Sequence, residues 1–271
     1  MKLTKRILAG ACALLMVASS SMLFTGCSKK EGDDKEKTVA DIDAVKKAGK
    51  LVVGITDYAP MDYKDENGEW TGFDAEFARM FASDLGVTAE FIEIDWDNKT
   101  FELDSGAIDC IWNGMTIVDE ILNACSVSDP YINNSQVVVM KSDVVGNYAD
   151  LASMTELKFA VEAGSAGESA IAETITNVTP VGTQGDALLE VASGAADACV
   201  IDATMAAAMT GEGTSYADLA AGAVLTEEEY GVAFRKGSDL CDALNKYMDK
   251  IIADGSLQAL GDKYNLSVVT K

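Results

Sequence analysis

From residue 51 onward, short apolar runs alternate with stretches of helical period. Leu51-Val52-Val53-Gly54-Ile55 reads as a strand. Residues 61–73 read as a hairpin turning at Asn67-Gly68, a pair that predicts a type I′ turn. Asp65, Asn67 and Gly68 share part of the spacing of a calcium loop, but the distal acid stands at the wrong offset, so a turn is the better reading. Phe73, Phe77, Met80, Phe81 and Leu85 form one helical stripe, closed by Gly86, which predicts a helix over 73–85. Phe91-Ile92-Glu93-Ile94 is the next strand, and residues 240–253 and 256–264 read as helices. Strands alternating with helices predict an α/β fold with a mainly parallel sheet.

One unit occurs twice. Ser105-Gly106-Ala107-Ile108-Asp109-Cys110-Ile111-Trp112 is similar to Ser193-Gly194-Ala195-Ala196-Asp197-Ala198-Cys199-Val200, and a threonine follows each at the same spacing, Thr116 and Thr204. Each copy reads as a helix stopped by Gly, a turn holding Asp, then a buried strand. Two copies 88 residues apart predict two similar lobes, not a solenoid of short repeats. The extended runs Gln136-Val137-Val138-Val139-Met140-Lys141 and Tyr230-Gly231-Val232-Ala233-Phe234-Arg235 flank the second copy and would form a two-strand hinge. The lobes are then residues 40–138 with 233–271, and residues 139–232.

Composition changes the picture at the N-terminus. Lys2, Lys5 and Arg6 precede an apolar run over residues 7–23, then Phe24-Thr25-Gly26-Cys27, the layout of a secretory signal. The Thr-Gly-Cys ending resembles a bacterial lipobox, in which the cysteine is lipidated and becomes the first mature residue. The alternative is an ordinary signal with an incidental cysteine. Residues 27–39 are mostly charged or small and read as a flexible tether. Loss of residues 1–26 removes three of 21 bases and none of 44 acids, taking the charge from −23 to −26. Such a surface argues against nucleic acid and anionic lipid as partners. Histidine is absent, which excludes Ser-His-Asp and Cys-His nucleophilic sites and His-ligated metals. No metal site or cofactor is expected. Cys110, Cys125, Cys199 and Cys241 lack metal-ligand spacing and read as free thiols in the core, with one disulfide as the alternative.

Several motifs, in order, resemble one family. Gly72-Phe73-Asp74, Trp112-Asn113-Gly114-Met115-Thr116-Ile117, Ser128 with Pro130-Tyr131, Gly164-Ser165, and the run from Tyr230 to Gly237 are similar to the polar amino-acid substrate-binding proteins of bacterial ABC importers, solute-binding family 3. The resemblance spans about residues 48–266. It implies a two-lobed Venus-flytrap fold, an amino-acid-like solute in the cleft, ABC permease subunits as partners, a monomer, and no enzymatic activity. It places the protein outside the cytoplasm, held at the cell membrane through Cys27. It also implies site residues. Tyr58 and Trp96 would sandwich the apolar part of the solute, or else pack within a lobe. Asn113, Gly114 and Thr116 stand where α/β sheets bind ligands. Asp202 would accept the solute's ammonium, or else cap the helix that follows. Asp57 is a further candidate acid.

The sequence departs from the family at Ile121, where the resemblance implies an arginine paired with the solute carboxylate. Arg79 and Arg235 are no obvious substitutes, and Lys99 is expected to face solvent. The expectation is a carboxylate held by dipoles at Gly164-Ser165-Ala166-Gly167, which opens a helix, with Asn113, Asn134 and Gln136 as neutral donors. Ser165 and Glu168 fit a capping box for that helix. Two other classes stay open. One is a secreted dehydratase-like enzyme on the same fold, although no two acids stand at a diagnostic spacing. The other is a sensory module, which would continue into a membrane helix; the sequence closes at Lys271.

Overall fold

Two five-stranded mixed sheets carry the chain, and their strands are drawn from different stretches of sequence. The computed structural model describes residues 39–270. The leader, Cys27 and the tether up to residue 38 lie outside the described residues. In order come α1 (Asp41–Ala48), β1 (Lys50–Ile55), β2 (Tyr63–Lys64), β3 (Trp70–Thr71), α2 (Phe73–Leu85), β4 (Thr88–Glu93), α3 (Lys99–Ser105), β5 (Cys110–Ile111), α4 (Asp119–Ala124) and β6 (Cys125–Val127). Then come β7 (Ile132–Lys141), β8 (Phe159–Glu162), α5 (Ala166–Ile171), β9 (Val178–Val181), α6 (Gln184–Ser193), β10 (Ala198–Asp202), α7 (Ala203–Met209) and β11 (Leu219–Tyr230). β12 (Ala233–Arg235), α8 (Asp239–Ala253) and α9 (Ser256–Tyr264) close the chain.

The first sheet has the order β4-β1-β5-β12-β6, the second β11-β7-β10-β8-β9. In the first, β1 is parallel to β4 and β5, and β12 returns antiparallel between β5 and β6. In the second, β8 is parallel to β9 and β10, and β7 runs antiparallel to both β10 and β11. The chain passes from the first sheet to the second between β6 and β7, and returns between β11 and β12. The two crossings are tied together: the Ser128 amide donates to the Val232 carbonyl and the Val232 amide to Ser128 Oγ, both at 2.9 Å. The result is a two-lobed fold with a two-strand hinge. The expected division at residues 138 and 139 falls inside β7, which pairs with β10 and β11 at those positions. Its apolar run reads as a crossing because it is β-rich, but it is a central strand of the second sheet.

The duplicated unit builds the same corner in each lobe. α3 and α6 both end in a glycine at positive φ, 78° at Gly106 and 79° at Gly194, a conformation that costs other residues steric strain. The Asp109 carboxylate accepts from the Val52 amide, and that of Asp197 from the Lys158 amide, each at 2.9 Å. Both aspartates thus pin the parallel strand beside their own.

Local expectations fare unevenly. The helix over 73–85 forms with those bounds, and Gly86 takes φ 80°. Its stripe buries Phe73, Phe77 and Phe81 against Trp112, Tyr131 and Tyr247. The hairpin forms, but not with a two-residue type I′ turn. Residues 65–69 make a longer loop in which Asp65 Oδ1 accepts from the amides of Asn67 and Glu69. Among the described residues Asn265 is the one non-glycine at positive φ, so Asn67 does not adopt the type I′ geometry. Cys110, Cys125, Cys199 and Cys241 are free and buried.

Candidate functional site

Between the lobes lies a cleft of about 710 Å³. The first lobe supplies the turn at Trp96, the start of α3, and the segment from Asn113 to Ile121. The second supplies Gln136, Glu162, residues 164–166 at the start of α5, Gln184 and Asp202. Thr226, Glu227 and Glu228 enter from β11, the returning hinge strand. These positions are mostly the carboxyl ends of parallel strands and the turns after them, where an α/β sheet leaves a crevice.

Asp202 ends β10 and is only 3% exposed. It occupies the N-cap position of α7 but makes no side-chain cap bond. Its carboxylate accepts instead from Asn134 Nδ2 at 2.5 Å, Gln136 Nε2 at 2.7 Å and Gln184 Nε2. Glu228 stands beside it and shares two of those amides, at 2.7 Å from Asn134 and 2.8 Å from Gln136. Burial raises the Asp202 pKa, and the Glu228 charge raises it further. Glu162, the last residue of β8, is 3% exposed, and its Oε1 has no hydrogen-bond partner. Burial and then Asp202 push its carboxyl up to about 8, with Lys99 opposing.

The remaining expected residues divide. Trp96 lines the cleft, with Lys99 Nζ 4.9 Å from its ring centre. Thr116 lines it too, and its hydroxyl donates to Glu228 Oε1 at 2.9 Å. Asn113 and Gly114 reach the wall, but their polar groups serve the lobe. Asn113 bonds both the amide and the hydroxyl of Thr56, and the Gly114 amide donates to Asp74 Oδ2 at 2.6 Å. Ser165 and Ala166 line the cleft, and the capping box forms: the Glu168 amide donates to Ser165 Oγ at 3.1 Å, and the Gly164 amide to Glu168 Oε2 at 2.8 Å.

Three residues are not brought to the cleft wall. Tyr58 is 2% exposed and does not face Trp96. Its hydroxyl lies 2.6 Å from Thr204 Oγ1 and 2.5 Å from the Tyr230 hydroxyl, so the ring is committed to the base of the hinge. The expected aromatic sandwich is therefore not assembled. Asp57 is exposed outside the cleft lining, in the fields of Glu93 and Lys64. Gly167 sits behind the lining, where a Cβ would come 2.9 Å from Gln136 Oε1, so its role is to let α5 settle on the sheet.

Lys99 corrects another expectation. Its ammonium is not turned to solvent but crosses the cleft edge, donating to the Gly164 carbonyl at 2.8 Å and the Trp96 carbonyl at 3.1 Å. Neither described arginine enters the cleft. Arg235 pairs with Asp41 and Asp109, and Arg79 donates to the Trp70 carbonyl. Ile121 forms an apolar part of the wall and is 4% exposed.

Sequence reasoning passed over Glu162, Gln184 and Glu228. Glu162 had a visible signal, since an acid ends the otherwise apolar run Phe159-Ala160-Val161 at the carboxyl end of a parallel strand. Glu228 lies inside Glu227-Glu228-Glu229, which reads as a solvated face until strand alternation turns the middle residue inward.

The sequence profile of the bacterial extracellular solute-binding proteins, family 3, matches residues 51–267. The L-cystine-binding protein TcyJ of Escherichia coli K12 is 32% identical over 266 residues, 95% of this chain and 96% of its own. A mutant of arginine-bound ArgBP from T. maritima superposes with TM-score 0.72 at 32% identity, over 78% of this chain and 99% of that one. The ancestral amino acid-binding protein AncCDT-1, a precursor of cyclohexadienyl dehydratase, gives TM-score 0.76 at 32% identity, over 83% and 99%. With a cleft between two mixed sheets and a family match across almost the whole described chain, this protein belongs to the bacterial extracellular solute-binding proteins of family 3.

Proposed function

We propose that the protein captures a small positively charged solute, an amino acid or a close relative, in the interlobe cleft and delivers it to the permease subunits of an ABC importer. The observation that carries this reading is the charge of the cleft. Asp97, Asp119, Glu120, Glu162, Asp202, Glu227 and Glu228 line it, against Lys99 as the single base. Of these Glu162 and Asp202 are buried, and buried carboxylates of one sign are costly unless a cation meets them. A cystine-binding relative and an arginine-bound neighbour support a solute of amino-acid type. Asp202, with Glu228 and the Thr116 hydroxyl beside it, would accept an ammonium; Trp96 would form another wall.

We take the lobes to be residues 39–128 with 233–270, and residues 132–230, with the crossings between them as the hinge. Contacts from both lobes make binding and closure one equilibrium. The protein acts as a monomer on the outer face of the membrane, tethered by residues 27–39 from a lipidated Cys27. No helix among the described residues is long and apolar enough to cross a membrane.

A thermal-shift screen against the twenty amino acids and small organic ions tests this. A cationic solute at 100 times its dissociation constant should add about 2.7 kcal/mol of stability. Stabilisation by dicarboxylates or sugar phosphates, or by no compound, would overturn the reading. An enzymatic alternative has one observation in its favour: a buried cleft carboxyl, Glu162, that keeps its proton near neutral pH. Conversion of a bound solute, followed by mass spectrometry, would decide for it.

A further inference from the structure

Resting on that reading of the cleft, we infer that the preferred solute carries two positive groups and no carboxylate: a diamine or an aminoguanidine, not the amino acid with the same side chain. Two acidic positions face the cleft. The first is Asp202 with Glu228. These two side chains share the amides of Asn134 and Gln136, and Asp202 takes Gln184 as well. The second is Glu162, on the strand beside that of Asp202, 97% withdrawn from solvent yet with Oε1 unbonded. A buried acceptor with no partner, in a wall that faces a cavity, marks where a donor from a ligand belongs.

A carboxylate finds no comparable position. The side-chain amides that could receive it are already donating to Asp202 and Glu228, and the Thr116 hydroxyl also donates to Glu228. Asn113 is turned to Thr56. The Lys99 ammonium spends two of its three N–H groups on backbone carbonyls and lies in the fields of Glu162, Glu120 and Asp97, so it offers a carboxylate a single N–H in an acidic surrounding. The start of α5, which sequence reasoning assigned to a carboxylate, already holds one of its own: Glu168 accepts the Gly164 amide there, and Ser165 takes the Glu168 amide. A second anion there would share the turn with the Glu168 carboxylate. Ile121 offers only an apolar surface. Placing a carboxylate in this wall desolvates it among like charges, a penalty that a decarboxylated analogue escapes.

Matched pairs test the inference by calorimetry on the full chain: agmatine against L-arginine, putrescine against L-ornithine, and cadaverine against L-lysine. Within the pair that binds, the decarboxylated compound should bind about a hundredfold more tightly. Glu162→Gln, a near-isosteric change at a side chain that is already proton-bearing when unliganded, should weaken that compound about tenfold or more while circular dichroism stays unchanged. An amino acid that binds as tightly as its decarboxylated partner would overturn the inference and leave cation capture standing. Equal binding by Glu162→Gln would remove Glu162 as the second anionic position and overturn it too. Saturable binding of calcium chloride alone at the same affinity would make the site a metal site, against the inference. No heat from any of the six organic probes would overturn both this inference and the capture of a cationic solute.

Discussion

Replacement of Gly114 by alanine should cost far more than its single methyl group suggests. Gly114 has φ +56°, a region where an ordinary L-residue loses roughly 1–2 kcal/mol. A Cβ there would also overlap Cε1 of Tyr58 and lie 3.1 Å from Cε2 of Tyr230. Neither ring can swing aside freely, because their hydroxyls hold each other at 2.5 Å and both are fully packed. Overpacking of this kind adds about 1–3 kcal/mol. The sum is about 3 kcal/mol. Gly106→Ala separates the two contributions, since Gly106 has φ +78° but no atom within 4 Å of a new Cβ, so it should lose only about 1 kcal/mol. Urea unfolding followed by tryptophan fluorescence reads both variants on one scale, with the midpoint shift taken at unchanged slope. If Gly114→Ala falls within about 0.5 kcal/mol of Gly106→Ala, the rings yield, and the argument that they are fixed at the hinge is wrong.

Four further outcomes are expected. Affinity for a cationic solute should rise with pH between 6 and 8, by up to about tenfold per unit for each proton displaced, because burial and neighbouring acid hold Glu162 protonated up to about 8 and raise Asp202 in the same direction; titrations in buffers of different ionisation heat would count the protons, and a pH-independent affinity would refute it. The ligand-free protein should behave oppositely. Its raised carboxyls contribute stability below their unfolded values, near 4.5 for Glu162, and that contribution is lost as pH climbs to about 8. Cys27→Ala should move the protein from the membrane fraction to the medium, and retention on cells would contradict lipidation at that residue. Saturating solute should lower the radius of gyration in X-ray scattering, and an unchanged radius with proven binding would count against hinge closure.

What the sequence discloses depends on how far apart the cooperating residues stand. α2 is legible to the residue, since its stripe and its closing glycine lie within one segment. The duplicated corner is legible for the same reason, and each copy can be checked against the other. The hairpin is seen but its turn is not, because the Asp65 side chain competes with the Asn-Gly preference. The hinge is misplaced along β7 because β-rich character does not reveal which sheet a strand joins. In the site, Asp202 and Trp96 are found at element ends. Tyr58 is assigned to the solute, yet it goes to Thr204 and Tyr230, partners 146 and 172 residues away. Lys99 reads as a surface lysine because its acceptor, the Gly164 carbonyl, lies 65 residues on in the other lobe.

The hydroxyls of Tyr58, Thr204 and Tyr230 have a consequence for how the lobes move. All three stand within 3.2 Å of one another, and each can give or take the proton. They form a small cluster, and Tyr230 also reaches the Asp202 carboxylate. Tyr58 follows β1 of the first sheet, while Thr204 stands in α7 and Tyr230 ends β11 of the second sheet. If a rotation draws Thr204 away, the two tyrosines keep their mutual bond, which uses one of their two O–H donors, and the threonine turns to water. The base of the hinge therefore favours the angle at which Thr204 closes this cluster, and a solute that needs another angle must offset the loss of those bonds.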